Sequence, residues 1–134
     1  MANQKSKDKA REQRLKKFFN LTSELWDVIA AYQNSLCFVC HKPQKSGKRL
    51  ATDHAHSGPQ AGLVRGLLCS TCNRALGRME RTWPKGTDVA LMLSRMVEFL
   101  TNPPAVRALG REINTFPGRF GTKRHRKYLK QQKQ

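Results

Sequence analysis

Four cysteines occur as two C-x-x-C pairs, Cys37-Phe38-Val39-Cys40 and Cys69-Ser70-Thr71-Cys72. Between the pairs stand Asp53, His54 and His56, and Asn73 directly follows the last cysteine. With His41 the first pair reads C-x-x-C-H, a c-type haem attachment signature, and a lone C-x-x-C is also a redox dithiol. The second pair changes that reading. Two pairs with 28 residues between them supply four thiolates, the number tetrahedral zinc requires. A haem would need export and an apolar pocket, and would leave Cys69 and Cys72 unexplained. A redox dithiol needs only one pair. The spacing therefore predicts a structural Zn2+ held by Cys37, Cys40, Cys69 and Cys72, with His41 exposed beside it.

From residue 28 to residue 79 the chain has one carboxylate, Asp53, among Lys42, Lys45, Lys48, Arg49 and Arg65. By itself, such an acid reads as a salt-bridge partner. Its setting adds a second reading. Asp53-His54 ends the first strand of a zinc-stapled hairpin, and fixing Cys72 also fixes Asn73 at the start of a helix. Asp53 and Asn73 are hard oxygen donors of the kind that hold Mg2+ or Mn2+, with water and phosphate filling the remaining positions. An imidazole titrates near neutrality and can take a proton from water, the role open to His54. Base, metal and positive surface together describe phosphodiester hydrolysis. Arg65 has two readings, a phosphate contact and a solvated strand residue. The adjoining Gly66 either admits a close backbone approach or kinks the strand. Lys48, Arg49 and Arg74 are further candidate contacts to nucleic acid.

The elements that must position these groups follow from periodicity and punctuation. Residues 6–19 predict a basic helix with Phe18 and Phe19 as its anchor. Thr22 or Ser23 caps a second helix, with a stripe of Leu25, Ile29, Tyr32 and Leu36 and with Trp26 as core. A knuckle at 37–42 leads to a strand at 48–54, a loop at 55–62 and a returning strand at 63–69. Ser70 then caps a short helix past the second pair. Thr87 caps a last amphipathic helix whose Val89, Met92, Leu93, Met96, Val97 and Leu100 are expected to pack in the protein's own core. Asn102-Pro103-Pro104 ends it, and a short segment runs on to Gly110.

Composition sets the partners. The 134 residues suffice for one domain with a modest core. The net charge is +17, from 26 Lys and Arg against 9 Asp and Glu, which attracts polyanions, with DNA first. Residues 5–17 hold seven of these cations and residues 119–133 seven more, so both ends read as arms that follow phosphates. No apolar run reaches the roughly 18 residues of a membrane span, and the charged N-terminus lacks a secretory apolar core. A cytoplasmic setting is expected, where cysteines serve as ligands rather than disulfides.

The strings CFVC, TDHAHSG and GLVRGLLCSTCNRALG, with their spacing, resemble the recombination endonuclease VII family of phage HNH nucleases. The close match runs over residues 37–77 and a looser one over 21–110. The resemblance implies an α+β, mostly helical chain. That implies a zinc-stapled ββα-metal core with flanking helices in a nuclease domain at 21–110; the basic ends, an arm at 1–20 and a tail at 111–134, lie outside the resemblance and are read from their charge. It assigns the four cysteines to zinc, Asp53 and Asn73 to the catalytic divalent ion, and His54 to the general base. His56 matches a family position, with phosphate binding, loop geometry and plain hydrogen bonding all open. The best-known junction-resolving member carries an acid three residues after the Asn, where this chain has Leu76. The substrate so implied is branched DNA such as a Holliday junction, or a strand to be nicked. Resolving a branch would be easiest for a homodimer joined through its N-terminal helices. Two rival readings share the zinc and the charge. One is a non-catalytic zinc-stabilised nucleic-acid-binding module. The other is an adaptor among other phage DNA-processing proteins.

Overall fold

The computed structural model describes residues 3–45 and 47–113. The chain is α+β: among the described residues, five helices accompany one two-stranded sheet. Two compact units divide between Val89 and Ala90. The basic tail expected at 111–134 lies almost wholly outside the described residues. No described helix is long and apolar enough to cross a membrane.

The first helix, α1 (Gln4–Phe19), is basic along most of its length and buries only Leu15. It ends where Asn20 turns left-handed at φ 53° and its N–H reaches the Leu15 and Lys16 carbonyls. Glu12 fixes α1 to the next helix, α2 (Ser23–Tyr32). Its Oε2 accepts from the Ser23 backbone N–H at 3.0 Å and from the Ser23 hydroxyl. That carboxylate satisfies an amide at the start of α2 that has no partner within the helix. The Ser23 bonds, side chain first, hold the Glu12 carboxyl below the ordinary glutamate range.

Helix α2 is capped as expected, with Thr22 Oγ1 accepting from the Leu25 N–H at 3.2 Å. Its buried stripe is rotated from the expected one. Trp26 and Ala30 face the core with Ile29 beside them, while Leu25 is exposed and Tyr32 is 84% exposed. Spacing alone leaves two adjacent stripes on this short helix. Trp26, whose Nε1 donates to Thr52 Oγ1 at 3.2 Å, decides between them.

Strand β1 (Ala51–His54) is shorter than the 48–54 expected. Its partner β2 (Val64–Leu68) offers no residue opposite 48–50, because Cys69 has already turned into the next element. The strands pair antiparallel, Ala51 with Leu68, Thr52 with Leu67 and Asp53 with Gly66; His54 then pairs with Val64. Arg65 is therefore a bulge residue. Helix α3 (Ser70–Thr82) follows and packs on both strands. Its N-cap is Cys69 rather than the expected Ser70, since the Cys69 Sγ accepts from the Cys72 N–H at 3.4 Å. A metal-ligating sulfur thus also starts the helix. Leu15, Trp26, Ala30, Leu50, Leu67 and Leu68 form the core together with Cys37 and Cys69.

Helix α4 (Val89–Thr101) lies in the second unit except for its first residue, and α5 (Pro104–Leu109), which ends on left-handed Gly110, lies wholly within it. The amphipathic pattern of α4 is real, but its expected burial is not. Val97 is 60% exposed and Leu100 78%, with Met92 and Leu93 half-buried.

Candidate metal centre and active site

Each cysteine pair sits in a turn closed by its own backbone. At the first, the His41 N–H donates to the Cys37 carbonyl at 2.9 Å and the Cys37 N–H to the Lys42 carbonyl at 3.0 Å. His41 itself is exposed, with a left-handed φ of 54°. At the second, the Asn73 N–H donates to the Cys69 carbonyl at 2.9 Å. The four Sγ atoms lie within 4.8 Å of one another, with Cys40 and Cys69 at 3.9 Å. Ligands about 2.3 Å from a tetrahedral zinc stand about 3.8 Å apart. The cluster fits a structural Zn2+, and no disulfide competes for these thiols. Burial alone would push the Cys37 thiol up, but N–H groups of Cys40, Cys69 and Val39 bring it down to about 6. Contact with the Cys69 thiol, followed by burial, pushes Cys72 up to about 12. Metal binding to such a cluster requires thiolates, so it releases protons.

A residue absent from the sequence reading locks the sheet to the first knuckle. Gln33, just past α2, pairs its side-chain amide with Leu67: Nε2 donates to the Leu67 carbonyl at 2.8 Å and Oε1 accepts from its N–H at 2.9 Å. The same Nε2 reaches the Leu36 carbonyl at 3.0 Å. The amide acts as a one-residue third strand along the edge of β2, covering backbone groups that would otherwise be buried unpaired. The Phe38 N–H adds a bond to Leu67 at 3.3 Å, so the zinc knuckle and β2 share this edge. The arrangement explains Gly66, whose φ of 152° few side chains adopt and where a Cβ would meet Gln33 Oε1 at 3.0 Å.

The bulge determines where the charges go. Pleating would send residue 65 to the face opposite Asp53, but the extra residue lets the Arg65 side chain join Asp53. Asp53 is buried, 6% exposed. Arg65 Nε donates to Asp53 Oδ2 at 2.6 Å and Nη2 to Oδ1 at 3.1 Å, while Nη1 reaches Glu80 Oε1 on α3 at 2.6 Å. The Asp53 bond first, and Glu80 with it, hold the guanidinium above its ordinary range. Arg65 is thus neither merely solvated nor turned wholly to solvent. Glu80 also escaped the sequence reading. It lies seven residues after Asn73, two turns along one face of α3, and that spacing was the available signal.

His54 is half-buried between two rings. The Phe19 ring meets it edge-on with centroids 5.6 Å apart, and the exposed His56 ring lies 4.3 Å away. Asn73 is half-exposed in the first turn of α3. Leu76, three residues after Asn73, packs against the core. Lys48, Arg49 and Arg74 are all exposed, the first two beside α1 and Arg74 on α3. Asp53 accepts one N–H at each oxygen, which leaves each a further lone pair, and Asn73 carries an amide oxygen on α3, both of them oxygen donors of the kind hard cations take.

Two comparisons bear on this site. The chain is 36% identical over 103 residues to the Gene 59 protein of Mycobacterium phage D29 and 35% identical to that of Mycobacterium phage L5. Each match takes in 76% of this chain, which spans 56% and 57% of those relatives' lengths. The family model for recombination endonuclease VII matches residues 12–102, taking in Glu12, Gln33, all four cysteines, Asp53, His54, Arg65, Asn73 and Glu80. The chain belongs to the recombination endonuclease VII family.

Proposed function

We propose that the protein is a metal-dependent DNA endonuclease of the HNH type, structure-selective for branched DNA or acting as a nickase. What carries the reading is Asp53-His54 at the bulged end of a hairpin whose other end runs into the four-cysteine cluster, in a chain of this family. His54 takes the proton from a water molecule, and the resulting hydroxide attacks the scissile phosphorus. The Phe19 and His56 rings flank the His54 imidazole and limit its rotation. Asp53 and Asn73 would hold Mg2+ or Mn2+, which supplies positive charge against the phosphate oxygens and the departing 3′ oxygen. Arg65 orients the Asp53 carboxylate, and Glu80 keeps Arg65 in place. The exposed cations, Lys48, Arg49 and Arg74 among them, contribute affinity without reading sequence, so binding should fall steeply as salt rises.

One observation favours the rival, a non-catalytic zinc-stabilised binding module. Both oxygens of Asp53 are already engaged by Arg65, as in a purely structural ion pair. Incubating the zinc-loaded protein with supercoiled plasmid and Mg2+ or Mn2+ separates the two readings. The nuclease yields nicked or linear DNA that depends on the divalent ion, and the binding module yields none. Homodimer formation, association with other phage DNA-processing proteins and a cytoplasmic setting belong to the same proposal.

A further inference from the structure

A cavity of about 640 Å3 opens between α1 and residues 47–52, on the Phe19 side of His54. Its walls carry two kinds of group. Arg11, Arg14, Lys48 and Arg49 supply positive charge, with no carboxylate among the lining residues. Phe18, Phe19 and Trp26 supply rings. The Phe18 ring is 63% exposed, unlike Trp26, with the Lys17 ammonium 5.3 Å over one of its faces, which leaves the other for a partner. Arg11 lies 5.0 Å over Trp26, and its Nη2 is enclosed yet makes no hydrogen bond; the Asp27 carboxylate stands 3.6 Å away. Thr52, also in the lining, immediately precedes Asp53, so the cavity runs up to the strand bearing Asp53 and His54.

Paired DNA does not need such a site. Its bases are stacked inside the duplex, which leaves phosphates and groove edges as the groups a protein meets. The cavity falls in the ~300–1,000 Å3 range of sites for single small ligands, too small for a duplex. Rings interleaved with cations are what an unstacked nucleotide uses, the base against an aromatic face and the phosphate against Arg or Lys. We propose that this cavity binds one unpaired nucleotide of the DNA strand next to the scissile phosphate, with the base on Phe18 and its phosphate between Arg14 and Lys48. The proposal rests on the reading of the protein as acting on DNA. It gives that reading a physical basis for preferring substrates that present an unpaired base beside a duplex, such as a flap or a bulge.

The test uses full-length, zinc-loaded protein without added divalent ion, so that binding is read without cleavage. The probes are a duplex carrying one unpaired 2-aminopurine and a fully paired duplex of equal length and charge. The wild type should bind the first more tightly and quench its fluorescence, since 2-aminopurine dims on stacking. Phe18→Ala should weaken binding to the unpaired probe by about tenfold and to the paired duplex by less than about twofold, with the quenching lost. Phe18→Trp should restore both affinity and quenching. Equal losses on the two DNAs, or quenching that survives Phe18→Ala, would overturn the pocket. Zinc content and circular dichroism confirm that each variant is folded. Plasmid cleavage measured separately keeps the two ideas apart. Selective grip without cutting sinks the nuclease and leaves the pocket, whereas cutting without selective grip does the reverse.

Discussion

Arg65 grips both carboxylate oxygens of Asp53, at 2.6 Å and 3.1 Å, from the residue of β2 that the register leaves unpaired. The pair is asymmetric, with Asp53 buried and Arg65 about a third exposed. Removing the cation strands a buried negative charge. Arg65→Ala should therefore destabilise the protein by roughly 2–4 kcal/mol, somewhat less than a fully buried pair because solvent reaches the guanidinium. Arg65→Lys should recover only part of that, since an ammonium cannot span both oxygens. Urea unfolding of the zinc-loaded protein measures both, and full rescue by Lys would show that charge alone matters.

The Gln33 clamp gives a second expectation. Gln33→Ala leaves the Leu67 N–H unpaired at a buried residue and weakens the bonding of its carbonyl, for a cost of about 2–3 kcal/mol. Gln33→Glu can still accept from the Leu67 N–H but cannot donate to its carbonyl, so it should fall between the two. Gly66→Ala acts on the same spot from the other side, through the 3.0 Å approach to Gln33 Oε1, and should cost about 1–3 kcal/mol. If Gly66→Ala is as destabilising in Gln33→Ala protein as alone, the two residues are not coupled.

The cysteine spacing was the most legible part of the sequence, because a knuckle is local: two ligands, a tight turn and the start of α3 lie within a few residues. The hairpin and the helix order were legible for the same reason. The bulge was not, because a one-residue excess in β2 shows only once both strands are in register. Gln33 and Leu67 are 34 residues apart and Arg65 and Glu80 15, so neither contact leaves a local trace. On α2, one turn offered two stripes, and Leu25–Tyr32 looked as good as Trp26–Ala30 until β1 chose. On α4 the pattern was read correctly, yet a pattern says that a face is apolar without saying what covers it.

Acid should loosen the junction of α1 and α2 through Glu12. Its carboxyl is held below its unfolded value, so it binds the proton less readily when folded. The stabilisation is present above the ordinary glutamate pKa of about 4.5 and is lost as pH falls through the lower folded value. The melting temperature of the wild type should therefore drop more steeply than that of Glu12→Gln between about pH 5 and pH 3. Parallel curves would remove Glu12 from the acid response.

Zinc and fold should be lost together. Structural zinc in small domains is worth roughly 10–16 kcal/mol, more than a core of this size supplies. Cys37→Ser, or a strong chelator, should abolish tightly held zinc and the cooperative unfolding transition of the first unit. Elemental analysis with circular dichroism reads both, and a metal-free protein with an unchanged transition would mean the four sulfurs cluster without a structural ion.

The most direct test compares wild-type and His54→Ala proteins on branched and plasmid DNA with Mg2+ or Mn2+, alongside affinity for uncut DNA. The wild type should cut, and His54→Ala should lose cleavage by at least about 100-fold while keeping zinc and DNA affinity near the wild-type level. A His54→Ala protein that cuts at the wild-type rate would contradict the assignment of the base, and a wild type that never cuts would contradict the account as a whole.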